Sequence, residues 1–133
     1  MNRELVQQVW QRAGARCEYC RIPHPQYRLP FQIDHIRARQ HGGPTTSENL
    51  ALACFHGNRH KGPNLAGWDP DTQQLVRLFH PRTDRWPEHF EGRGAAIAGK
   101  TPIGRVTVQV LAMNAEDLLL LRVELLAEGV SLF

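Results

Sequence analysis

Ala53–Gly62 reads ACFHGNRHKG, downstream of a CEYC pair at Cys17–Cys20. A Cys-x-x-Cys upstream raises the expectation of a second pair, with the partner of Cys54 at position 57, yet position 57 is a glycine. Structural zinc sites take four ligands at the corners of a tetrahedron. The stretch is therefore either no four-thiolate site or such a site short of one corner. That choice governs how the rest of the chain is understood.

The composition around it is that of one ordinary folded unit. At 133 residues the chain can bury a core without disulfides. Hydrophobic residues make up 41% and the mean hydropathy is -0.43. The longest apolar run, the six residues Leu50–Phe55, is too short to cross a bilayer, so no membrane partner is expected. MNRELVQQVWQRAG is charged and periodic where a secretory leader would be apolar. Three cysteines make no disulfide framework and suit a reduced, cytoplasmic protein with thiols for metal.

Net charge is +3, and its location matters more than its size. Cys17–Gly62 holds six Lys/Arg (Arg21, Arg28, Arg37, Arg39, Arg59, Lys61) against three acids (Glu18, Asp34, Glu48). The remaining residues hold ten of each sign, so the whole excess lies in this segment. Five of the seven histidines (His24, His35, His41, His56, His60) lie there too. Cations beside imidazoles suit a phosphate-bearing substrate. A solvated, slightly basic surface is the plainer alternative.

Periodicity outlines the elements. Leu5, Val6, Val9 and Trp10 share a helical face over residues 3–13, ending at Gly14. LPFQIDHI, residues 29–36, alternates like a strand opened by Pro30, and HGGPTTSEN is a loop. NLALA is a short strand, and NRHKG begins a helix that stops at Gly62. Residues 64–100 carry turn signals, DPDT and EGRG, around LVRLF and AAIAG, which predict short strands. Thr101-Pro102 opens a helix with Ile103, Val106, Val110 and Met113 on one face. Asn114 is expected to cap a second helix whose stripe is Leu118, Leu121, Leu125 and Leu126, giving a C-terminal helical hairpin. The whole, residues 1–133, predicts a single α+β domain with its core at about 17–62 and an extension over about 63–133.

Three pieces carry chemistry: IDHI at 33–36, ENL at 48–50 and GNRHKG at 57–62. A strand–loop–strand–helix order brings His35 and Asn58 to one side. Phosphodiester hydrolysis needs a base for water and a cation for the developing negative charge. His35 can be that base. Asp34 and Asn58 offer the hard oxygens that magnesium or manganese prefers. Plainer roles stand beside these: His35 as a core histidine bonded to a carbonyl, and Asn58 as a helix cap alone.

The ordered run C-x-x-C, D-H-I, G-G, N-L and C-x-x-G-N-x-x-K-G resembles the HNH endonuclease family, nearest to its small bacterial members. The resemblance implies a ββα-metal core and one-metal cleavage of DNA. It makes His35 the general base, Asp34 and Asn58 the ligands of a divalent ion (Mg or Mn), and Asn49 the residue that holds the loop. It gives Lys61 a phosphate contact, with Arg37, Arg39, Arg59 and His60 as further nucleic-acid contacts. Cys17, Cys20 and Cys54 then correspond to a structural zinc site that departs from the family at Gly57: either water, His56 or His60 supplies the fourth ligand, or the thiols form a small buried cluster in which packing from the C-terminal part replaces zinc. Two rivals remain: a nucleic-acid-binding member without catalysis, and a zinc-ribbon interaction module with no substrate.

Overall fold

The computed structural model describes all 133 residues, Met1–Phe133. Helix α1, Arg3–Ala13, is capped by Asn2, whose side chain accepts the Leu5 N–H at 2.8 Å. It ends on Gly14 in the left-handed region, where glycine carries no Cβ penalty. Strands β1 (Gln32–His35) and β2 (Leu50–Ala53) pair antiparallel, with Asp34 opposite Ala51 and His35 opposite Leu50. Helix α2, Phe55–Lys61, follows β2 after the single residue Cys54.

All four residues of β2 are buried, with α1 packed against it. The CEYC turn docks on the same strand. The Glu18 N–H donates to the Leu52 carbonyl at 2.9 Å, and Glu18 Oε2 accepts the Leu52 N–H at 2.8 Å. That pairing carries Cys17 and Cys20 to the end of β2, where Cys54 begins the helix.

The rest of the chain forms two further antiparallel pairs, β3–β4 (Ala66–Trp68, Leu75–Arg77) and β5–β6 (Phe90–Arg93, Ala96–Gly99). A one-turn helix that the sequence did not suggest, α3 (Trp86–His89), precedes β5. Mixed helices with small antiparallel pairs make the fold α+β. One buried apolar cluster draws on residues from Val9 to Leu132.

The C-terminal helices are α4, Pro102–Val110, and α5, Glu116–Ala127. Thr101 caps α4 through the Gly104 N–H at 3.1 Å. The expected hairpin is not what they form: α4 packs against β6 and against β3 and β4, rather than along α5. Two glycines explain it. A Cβ on Gly104 would lie 2.0 Å from the His89 carbonyl oxygen, and one on Gly99 would lie 2.3 Å from the Arg105 nitrogen. Helix and strand therefore approach at backbone distance.

Asn114 is not the cap of α5 either. Ala115 holds that position, while the Asn114 side chain accepts the Ile97 N–H at 2.9 Å and donates to the Ile97 carbonyl at 2.8 Å. Leu118 and Leu125 are buried, but Leu126 is exposed and Arg122 faces inward. No helix is long and apolar enough to cross a membrane.

Candidate active site and thiol cluster

Successive residues of a strand point to opposite faces, and β1 uses this to separate Asp34 from His35. Asp34 faces inward, 5% exposed. Tyr19 Oη donates to its Oδ2 at 2.7 Å, and Lys61 Nζ lies 3.2 Å from Oδ1 and 3.1 Å from Oδ2. Burial pushes the Asp34 carboxyl above its usual range, while Lys61 and the Tyr19 hydroxyl pull it back.

His35 is partly exposed, and its Nε2 sits 2.9 Å from the Thr45 hydroxyl. With Nε2–H donated to Thr45, Nδ1 holds the free lone pair. Burial lowers the His35 pKa below the ordinary imidazole value. Arg39 and Lys61 push the same way, against Asp34. The shift favours the neutral ring.

The loop between the strands is closed by Asn49. Its Oδ1 accepts the Arg37 N–H at 2.9 Å, and its Nδ2 donates to the carbonyls of Arg37 at 3.0 Å and Pro44 at 2.9 Å. From α2, Asn58 donates Nδ2 to Gln32 Oε1 at 2.6 Å, leaving its amide oxygen unpartnered. Asp34, His35 and Asn58 line one open cleft of about 360 Å³, together with Arg39, Gln40 and Gly62.

Lys61 requires a correction. It does not reach toward a phosphate: it is 1% exposed and donates to Asp34 and to the carbonyls of His35 at 3.2 Å and Ile36 at 3.0 Å. Asn58 and Lys61 are three apart on α2, so both fall on the side facing β1. Arg37, Arg39, Arg59 and His60 are exposed, and of these Arg39 alone lines the cleft.

The three cysteines converge elsewhere. Cys17, Cys20 and Cys54 are buried, with their sulfurs all within 4.8 Å of one another. Backbone N–H groups point at two of them, Cys20 to Cys17 Sγ at 3.4 Å and Gly57 to Cys54 Sγ at 3.2 Å. Arg21 takes a left-handed φ of 69° to close the turn and donates its N–H to the Cys17 carbonyl at 2.9 Å. Against its burial, hydrogen bonds from Cys20 and Cys54 pull the Cys17 thiol well below its ordinary range, while hydrogen bonding to Cys17 pushes the Cys20 and Cys54 thiols up.

A Cβ built on Gly57 would meet Cys54 Sγ at 3.3 Å and Leu111 Cδ2 at 3.9 Å. Position 57 therefore does face the cluster, and Leu111 borders the missing corner. Neither histidine completes it. His56 Nε2 is bonded to the Ala112 carbonyl at 2.9 Å and His60 Nδ1 to the His56 carbonyl at 2.9 Å, their ring centroids 4.1 Å apart and tilted. The group can hold a metal ion through three sulfurs.

Residues 17–64 match the family model described as HNH endonuclease. This segment, about a third of the chain, is similar to the HNH endonuclease family. The matched span takes in the thiol cluster, β1, the Asn49 loop, β2 and α2. Neither the curated proteins nor the solved structures contain a match to the chain.

Sequence reasoning missed the residues that hold the cleft's side chains in place. Tyr19 sits at a variable position inside C-x-x-C, Thr45 in a loop rich in small polar residues, and Gln32 on the exposed side of β1. The Asn49 loop was the one outer support that the resemblance supplied.

Proposed function

We propose that the HNH domain is a metal-dependent DNA endonuclease with a ββα-metal core. The observation that carries this is the single cleft shared by Asp34, His35, Asn58 and Arg39. His35, neutral and anchored through Nε2, takes a proton from water at Nδ1. Asp34 and the free oxygen of Asn58 fit a hard divalent ion, magnesium or manganese. Such an ion supplies positive charge at the phosphate and leaving oxygen when bound. Tyr19 and Lys61 fix the carboxylate that would hold it. Arg39 at the cleft, with exposed Arg37, Arg59 and His60, meets DNA phosphates.

The testing experiment is cleavage of supercoiled plasmid with magnesium, with manganese and with EDTA. Asn58→Ala should raise the metal concentration needed for half-maximal rate, while Asn58→Asp and Asn58→His retain part of the activity, because both can still ligate. An unchanged metal requirement in Asn58→Ala would reduce Asn58 to the partner of Gln32. DNA binding without cleavage under all metals would leave a binding protein only.

Thr45→Val should lower the turnover rate by about tenfold or more, the scale for losing a hydrogen bond that orients a histidine. Thr45→Ser should restore most of it. Equal rates for Thr45→Val and wild type would remove Thr45 from the site.

The three thiolates, we propose further, hold a structural divalent ion of the zinc type, apart from the cleft.

A further inference from the structure

Arg122 is fully buried on the inner side of α5, at 0% exposure. Its Nε donates to the Ala95 carbonyl at 2.6 Å, and its Nη2 to the Met113 carbonyl at 2.6 Å and Asn114 Oδ1 at 3.1 Å. Every one of those acceptors is neutral. No carboxylate pairs with this guanidinium, and its Nη1 is buried with no partner at all. A buried, unpaired cation is among the more costly arrangements a fold can hold.

The anion-forming groups whose charge bears on Arg122 are Cys20, Cys54 and Cys17, in that order, and each favours the charged guanidinium against its burial. The chain itself makes the connection. Leu111 borders Gly57 at the open corner, Ala112 accepts from His56, and Met113 accepts from Arg122.

We propose that Arg122 is the buried counter-ion of a divalent metal–thiolate centre at Cys17, Cys20 and Cys54. Three thiolates and one divalent ion sum to a single negative charge, which one guanidinium cancels. The inference rests on the structural metal proposed above, and it assigns to the region beyond the matched HNH segment a part in that centre.

The test uses the whole chain with zinc as the probe, in wild type, Arg122→Gln and Arg122→Lys. Zinc content, zinc affinity by competition with a chromophoric chelator, and melting temperature with and without chelator are measured. Arg122→Gln keeps amide donors for the carbonyls but loses the charge, so its zinc affinity should fall about tenfold or more, the scale of one buried charge at an effective dielectric of about 20. The rise in melting temperature on adding zinc should shrink with it. Arg122→Lys keeps the charge and loses the planar fork, so it should bind zinc within a few-fold of wild type even if less stable.

Equal zinc affinity in Arg122→Gln and wild type would make Arg122 a clamp for carbonyls and overturn the counter-ion role while leaving the metal site standing. An equal loss in Arg122→Gln and Arg122→Lys would overturn it too, since charge would then not be what matters. If wild type takes up no zinc, the metal reading of the thiols fails and the counter-ion falls with it.

Discussion

His35→Ala should cut DNA cleavage by about 10²–10⁴-fold, the contribution expected of a positioned general base. DNA binding should stay within a few-fold of wild type, because the contacts proposed for it are the arginines, which the substitution leaves alone. No other imidazole lines the cleft, so none can take over. The pH profile gives an independent check. The active form is neutral imidazole, and the His35 pKa lies below its ordinary value through burial and through Arg39 and Lys61. Activity should therefore persist as pH falls through the usual imidazole range and be lost only as it passes through that lowered value. Arg39→Gln removes one of the depressing charges, so its acid limb should move to higher pH. A His35→Ala protein that cuts plasmid at the wild-type rate would remove His35 as the base, and an acid limb unmoved in Arg39→Gln would remove Arg39 as its neighbour.

Much of the path of the chain through this site was legible because it follows from local rules. An alternating run opened by proline made β1, an apolar run made β2, and NRHKG with its stop at Gly62 made the end of α2; the helix starts earlier than expected, at Phe55, so Cys54 and not Asn58 is its cap. The order strand, loop, strand, helix fixes which residues converge. That is why the sequence alone points to Asp34, His35 and Asn58, which line one cleft. The failures lie where a side chain's role depends on what packs against it from far along the sequence. Lys61 and Arg122 look like surface cations in a sequence, and both are buried because another segment lies over them.

α5 misled for a related reason. Leucine occupies residues 118–121 without interruption, so every side of the helix looks apolar and no stripe selects the inner face. Asn114 resembles a cap, but β6 competes for its side chain through Ile97 and wins. The Gly99–Gly104 contact that draws α4 onto β6 did have a signal, two glycines five residues apart beside Thr101-Pro102. Nothing local said that they would meet.

Lys61 offers the sharpest contrast between the two roles open to it. As a phosphate contact it would be dispensable to folding, and Lys61→Ala would weaken DNA binding evenly across sequences with little change in stability. As the buried partner of Asp34 it is a structural group, and removing it strands a carboxylate that is 5% exposed. Breaking one side of a buried pair destabilises by about 3–5 kcal/mol, so urea denaturation at neutral pH should show a loss of that order. The sign of its pH dependence follows from the carboxyl. Burial already holds the Asp34 pKa above its unfolded value, and without the ammonium it rises further, so the folded variant prefers the protonated acid. Its deficit should thus be greatest above that raised pKa and shrink as pH falls through it. Adding Asp34→Asn to Lys61→Ala should recover part of the stability at neutral pH, because a neutral amide can still accept from Tyr19 and leaves no buried charge. It should not recover cleavage, since the carboxylate proposed to hold the divalent ion is gone. A loss under about 1 kcal/mol in Lys61→Ala, the scale of an exposed ion pair, together with weakened DNA binding, would return Lys61 to the DNA surface and undo its assignment beneath the cleft.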